Sequence, residues 1–241
     1  IILSNDGGYI ITGQYHAQHP DILVVKIDDQ GSIQNKHIIS TAPSSQRIVE
    51  SGKSILSIDN GYIILASLSQ SSANGPSDIW LSEYIESTLN VGDTTWTQTW
   101  DINTFDIPER LIKKTDGSYA LSGYSLNSGG EIESSWIINS DISGNELSTI
   151  IISGDNYVYD LIENNNGDYI IAGKKFIGNN YQGWIACIDI QGNIVWEKIY
   201  GEGDNALFRS IKKTSDGGFI ITGEAQTDGI SSCLLYTSPS P

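Results

Sequence analysis

Apolar residues fall in short runs along the chain, such as Tyr9-Ile10-Ile11, Ile22-Leu23-Val24-Val25 and Tyr62-Ile63-Ile64-Leu65, each closed by Gly, Asn, Asp or Ser nearby. Runs rich in Ile, Val, Tyr and Trp between such breakers predict β-strands joined by turns, and no stretch sustains a helical period. Many of these runs are apolar at successive positions rather than at alternate ones. A strand with one wet face alternates, so the pattern predicts small sheets covered on both faces.

The pattern also repeats. Asp6-Gly7-Gly8-Tyr9-Ile10-Ile11-Thr12-Gly13 returns as Asp59-Asn60-Gly61-Tyr62, Asp116-Gly117-Ser118-Tyr119, Asn166-Gly167-Asp168-Tyr169 and Asp216-Gly217-Gly218-Phe219, each running on to Gly or Ala. The aromatic positions are 53, 57, 50 and 50 residues apart. Between them recurs a second motif: Asp21-Ile22-Leu23-Val24, Asp78-Ile79-Trp80-Leu81, Ser135-Trp136-Ile137-Ile138 and Gly183-Trp184-Ile185-Ala186. Each unit reads as four short strands. Four-stranded sheets stacked face to face, at roughly 40–50 residues per unit, describe β-propeller blades. The expected architecture is all-β, a propeller of four-stranded antiparallel blades with about four blades and two strands of a fifth, an incomplete toroid. Its units span about 1–47, 48–105, 106–155, 156–205 and 206–230. Tyr9, Tyr62, Tyr119, Tyr169, Phe219, Trp80, Trp136 and Trp184 are the expected inter-blade core.

The Asp-Gly-Gly-Tyr-Ile-Ile-x-Gly, Asp-Ile-Trp-Leu and Asp-x-x-Gly-Asn-Ile-x-Trp segments resemble the repeats of secreted or surface β-propeller proteins of bacteria and archaea. The resemblance covers residues 1 to about 230. It implies an extracellular or cell-surface scaffold without catalysis, binding protein or glycan. Residues 233–241, Cys-Leu-Leu-Tyr-Thr-Ser-Pro-Ser-Pro, resemble the conceptual translation of a sequencing-library adapter. Residues 231–241 are therefore expected to be a non-native tail, leaving Cys187 as the natural cysteine. With no Met, and an opening inside the apolar run Ile1-Ile2-Leu3, the chain reads as a piece of a longer protein.

Charge narrows the partners. The 13 Lys and Arg stand against 29 Asp and Glu, a formal net charge of −16. Nucleic acid and anionic membrane both select for basic excess, so neither is expected. The apolar runs fall far short of the roughly 20 residues that span a bilayer, so membrane insertion is not expected.

In an antiparallel meander alternate connections lie at opposite ends of the sheet. The longer stretches Gln14–Pro20, Ser67–Ser77, Ser125–Ser134 and Lys174–Gln182, with the unit-to-unit loops, therefore share one face, and binding is expected there. His16, His19 and Asp21 carry metal-ligand chemistry, although an ordinary solvated loop explains them better. Asp101, Asp106, Glu109, Asp155, Glu202 and Asp204 lie in or beside the unit-to-unit loops. They could ring a central channel and offer oxygen ligands to Ca²⁺, but no Asp-x-Asp-x-Asp-Gly run accompanies them. Asp28, Asp141 and Asp189, each three residues before a Gly, read as turn formers. Three scattered His do not assemble a nucleophile–base pair, and no phosphate-binding glycine motif is present. The expectation is no cofactor and no catalytic set. The alternative is a propeller enzyme: a glycoside hydrolase, or a quinoprotein dehydrogenase on the strength of Gly192-Asn193-Ile194-Val195-Trp196, which resembles a tryptophan-docking repeat.

Overall fold

The computed structural model describes residues 1–4, 6–16, 20–41, 48–70, 76–85, 94–201, 205–227 and 230–238, with only the backbone described at 48, 70, 227 and 230–238. Every regular element among them is a strand. The first unit holds β1 (Ile2–Leu3), β2 (Tyr9–His16), β3 (Pro20–Ile27) and β4 (Ile33–Ile39). The second holds β5 (Ile48–Ile58), β6 (Gly61–Gln70), β7 (Ser77–Ile85) and β8 (Thr94–Trp100). The third holds β9 (Phe105–Lys113), β10 (Tyr119–Leu126), β11 (Ile132–Ser140) and β12 (Glu146–Ser153). The fourth holds β13 (Asn156–Glu163), β14 (Tyr169–Ile177), β15 (Asn180–Ile188) and β16 (Ile194–Tyr200). The last holds β17 (Asn205–Lys213), β18 (Phe219–Thr227) and β19 (Ile230–Ser238).

Each unit is an antiparallel meander in chain order, and the second and third are joined by one parallel bridge, Ser77 to Phe105. The last unit has three strands where two were expected. Its third, β19, pairs with β18 from Thr227↔Ile230 to Phe219↔Ser238 and runs through the segment expected to be a non-native tail.

The core is four separate layers, one between each pair of successive sheets. Tyr169, Ile171, Trp184 and Ala186 face back onto Ile137, Ile150 and Ile152 of the third sheet. Their strand neighbours Ile170, Ala172, Ile185 and Cys187 face forward onto Phe208, Ile211 and Ile221. This two-sided burial is why the strands are apolar at successive positions. Burial of each such large side chain is worth about 1.5–3 kcal/mol, and neither face of a sheet can be left wet without losing it. Trp136 and Trp184 are fully buried and Trp80 nearly so, while Tyr62, Tyr119 and Tyr169 share the backward-facing side of their respective sheets with them. Phe219 is half-buried. Tyr9 departs from the expected core: it is 37% exposed, because Ile10, Ile22 and Val24 turn the other face of the first sheet onto the second.

The β3–β4, β11–β12 and β15–β16 turns are built alike. Asp189 Oδ1 accepts from the backbone N–H of Gln191 (2.9 Å) and Asn193 (2.8 Å), and Asp28 and Asp141 do the same in their turns. The Asn193 side-chain amide, and after it those N–H bonds, hold the Asp189 carboxyl below its ordinary pKa. One stretch expected as a long loop is not one. Between Lys174 and Gln182 the strands run on to a two-residue turn, with Ile177 opposite Asn180. Phe176 packs on Tyr181 (centroids 5.1 Å apart) and donates its N–H to Asp155 O (2.7 Å), which holds the hairpin straight.

Candidate functional site

The first strands of the last four units lie along one edge of the stack, against one another, and each carries a β-bulge at the same place. Register slips between Gly52 and Ser54 on β5, near Pro108 and Arg110 on β9, between Val158 and Asp160 on β13, and between Phe208 and Ser210 on β17. The extra, unpaired residues are Lys53, Glu109, Tyr159 and Arg209. A bulge bends its strand and re-aims a side chain. Here it sends four different chemistries to one inner edge.

The repeat glycine is part of this device. A Cβ on Gly173 would lie 1.7 Å from the carbonyl oxygen of Tyr157, and on Gly223 it would lie 2.0 Å from that of Leu207. The carbonyl pushed outward just before the bulge occupies the space a side chain would need, so the motif ends in Gly wherever the bulge follows this pattern.

Polar side chains beside the bulges tie the units together. Three positions before each bulge, Glu50, Asp106 and Asn156 are buried. Asp106 Oδ2 accepts from the N–H of Ile102 (2.7 Å) and Asn103 (3.3 Å), Glu50 Oε1 from the N–H of Thr41 (2.8 Å), and Asn156 donates to Ser153 O (3.0 Å). Burial raises the carboxyl pKa of both Glu50 and Asp106. One position after the bulge, Ser54 Oγ accepts from Leu111 N–H (3.2 Å). Asp160 pairs with Arg110 (3.0 Å) and accepts from Ile211 N–H (2.9 Å) and the Ser210 hydroxyl (2.9 Å). These groups are structural fasteners.

Around the bulge residues the surroundings are chemically different. Burial pushes the Glu109 carboxyl above its ordinary pKa, opposed by the nearby charges of Lys53 and Arg209. Arg209 sits over the Tyr159 ring (4.8 Å) and pairs with Glu224 (3.2 Å). Tyr124 packs edge-on to Tyr157 (4.7 Å) and Tyr159 (6.0 Å), Tyr157 meets Tyr181 (5.5 Å), and Lys174 Nζ lies 4.1 Å from the centroids of both Tyr157 and Tyr181. Burial, first of all, raises the phenol pKa of Tyr124, Tyr157 and Tyr159. Three cavities open at the long-connection end of the sheets. One of about 510 Å³ is lined by Val49, Ser51, Lys53, Phe105, Ile107 and Ser128 among others. One of about 460 Å³ reaches Glu131, Asp155, Tyr157, Phe176 and Tyr181, and one of about 230 Å³ reaches Lys174, Tyr181, Asn205 and Glu224. Clefts of several hundred cubic ångströms with aromatic walls and a few charged groups are the usual form of a small-molecule site.

The sequence-based candidates fare unevenly. Of the acidic set, Glu109 belongs to the inner edge, Asp106 is buried in its fastening role instead of ringing a channel, Asp101 and Asp155 are exposed, and Glu202 and Asp204 lie outside the described residues. His16 is exposed at the end of β2, Asp21 stands opposite Tyr15 on β3, and His19 lies outside the described residues. Among the described residues no three His, Cys, Asp or Glu group as a metal site. Trp196, the basis of the quinoprotein alternative, is 37% exposed on the outer strand β16 rather than docked between sheets. Lys53, Tyr159 and Arg209 were not singled out by sequence; the signal that could have found them is their constant offset of nine or ten residues before the repeat aromatic.

No protein-family model matches the chain, and no curated protein matches it in sequence. Among solved structures it is similar to a protein of unknown function from Bacteroides caccae (TM-score 0.58, 12% identity, covering 95% of this chain and 72% of that one). It is also similar to a GH43 β-1,3-galactosidase (TM-score 0.56, 11% identity, 98% of this chain and 55% of that one). A third is the periplasmic gluconolactonase of Pseudomonas aeruginosa (TM-score 0.55, 16% identity, 99% of this chain and 70% of that one). At such identities the likeness is one of fold, and it supports a β-propeller. The expectation of a non-catalytic scaffold, with no enzymatic role, is overturned by these neighbours: the repeat specifies an architecture, and two of these three solved structures that share it are enzymes. The chain is all-β and propeller-like.

Proposed function

We propose that the protein is a propeller-type hydrolase of saccharides, with the four-stranded meanders as blades and the edge formed by β5, β9, β13 and β17 as the reaction centre. The observation that carries this reading is the Glu109 bulge. It presents a carboxyl group with a raised pKa among Lys53, Arg209, Tyr124 and Tyr159, beside open clefts. A carboxylic acid whose pKa is raised by its surroundings is the group that hydrolysis of a glycosidic bond asks for. Glu109 gives its proton to the leaving oxygen as the carbon–oxygen bond breaks. Water supplies the new carbon–oxygen bond, and its released proton restores the acid through solvent. The tyrosine faces offer stacking surfaces for sugar rings, and their hydroxyls offer hydrogen bonds at the rim.

The test is hydrolysis of a panel of aryl glycosides, β-linked galactans, arabinans and aldonolactones by the purified chain. The Glu109→Gln variant should lose about 10²–10⁴-fold in kcat on any substrate turned over, the usual contribution of a positioned general acid. Full activity in Glu109→Gln, or no turnover of any member of the panel, would refute the reading.

A further inference from the structure

The chain carries 13 basic residues against 29 acidic ones, yet three cations converge where the clefts open: Lys53, Lys174 and Arg209. Their surroundings do not neutralise them fully. Arg209 is paired with Glu224 at 3.2 Å. Lys174 has no ion pair among the described residues; its ammonium is held by the ring faces of Tyr157 and Tyr181 and forms part of the wall of the cleft of about 230 Å³. Burial, and then the like charge of Arg209, lower the Lys174 pKa, so this ammonium is held at a cost that a bound anion would relieve. Lys53 is exposed, lines the cleft of about 510 Å³, and lies close enough to Glu109 for their charges to interact. Against Glu109 and Glu224, the three cations leave one net positive charge, or two when Glu109 is protonated. Glu131 and Asp155 stand at the rim of the neighbouring cleft, both exposed, where water screens them.

We infer that the saccharide taken at this site is anionic, a glycan carrying a sugar carboxylate such as a uronic acid, seated in the cleft that Lys174 and Tyr181 line, with its carboxylate on Lys174. This rests on the proposed hydrolase reading and narrows it. The unpaired Lys174 ammonium suits a singly charged carboxylate, and the Tyr181 wall of the same cleft offers apolar surface to a pyranose. In so acidic a chain this patch also favours an anionic ligand locally, although the long-range field would repel one. The preference should therefore grow with contact rather than with distance.

The test is calorimetric titration of the whole chain with trigalacturonate and with the matched neutral trigalactose. The charged trimer should bind at least about tenfold tighter, as one charge-assisted hydrogen bond supplies. Lys174→Gln should abolish that preference and Lys174→Arg should keep it, with tryptophan fluorescence of each variant confirming the packed core. Equal or tighter binding of the neutral trimer, or an unchanged preference in Lys174→Gln, would overturn the inference. So would tighter binding of a sulfated galactose trimer than of the carboxylated one. Turnover of neutral galactan that depends on Glu109, with no affinity for galacturonate, would sink this inference alone and leave the hydrolase reading standing.

Discussion

Asp160 joins three consecutive units from a position that is 3% exposed. Its carboxylate meets Arg110 from the third unit at 3.0 Å, and from the last unit it accepts the Ile211 N–H and the Ser210 hydroxyl, both at 2.9 Å. Replacing it with Ala removes every one of these at once. Ile211 is fully buried, so its N–H has no water to turn to, and an unsatisfied buried group costs about 1–3 kcal/mol. The Arg110 guanidinium also loses its counter-charge, and breaking a buried pair from one side costs about 3–5 kcal/mol; Arg110 is one-third exposed, which places the total for Asp160→Ala toward the lower end, about 3 kcal/mol. With a urea slope of about 2–3 kcal/mol/M, the unfolding midpoint should fall by roughly 1–1.5 M. Asp160→Asn keeps an acceptor oxygen for Ile211 and should lose about 1–2 kcal/mol. Urea titration read by tryptophan fluorescence suits the measurement, because Trp136 and Trp184 lie in the layers that part. A midpoint for Asp160→Ala within the scatter of the parent chain would refute the claim that these polar groups fasten the inner edge.

Gly173→Ala places a methyl against the Tyr157 carbonyl and should destabilise by about 1–3 kcal/mol, whereas Gly13→Ala, with nothing within 4 Å of the new Cβ, should shift stability by less than about 0.5 kcal/mol; equal thermal shifts would contradict the bulge argument. Because the Glu109 pKa is raised on folding, its protonated form persists above the ordinary carboxyl range, so activity should fall as pH rises through that raised value. Lys53 opposes the shift, so Lys53→Gln should carry the alkaline limb of kcat/KM to higher pH, and an unmoved or acid-shifted limb would count against Glu109 as the acid.

The strands and their two-sided packing were legible because the 50-residue period writes both faces of every sheet as apolar, and Trp136, Trp184 and Tyr169 sit where that pattern puts them. The turns were legible too, since Asp189 and its counterparts carry their own hydrogen-bond logic. The site was not. A repeat is found by sameness, and Lys53, Glu109, Tyr159 and Arg209 share a backbone position while mixing cation, acid and phenol. Position along the chain also misled: Asp106 and Glu109 looked alike beside a loop, yet Asp106 stands in register opposite Ser125 and caps backbone N–H groups, whereas Glu109 is the unpaired residue of the bulge. The Gly at positions 123, 173 and 223 was the visible trace of the bulge, but its cause, a carbonyl from a neighbouring strand, is a tertiary contact.

The offset built into each first strand separates two kinds of specification. Residues on either side of it answer to the packing layers and fasteners, while the displaced residues answer mainly to one another and to the tyrosines beside them. Those four letters can therefore be rewritten with less demand on the layers beneath, each change altering the chemistry of that edge.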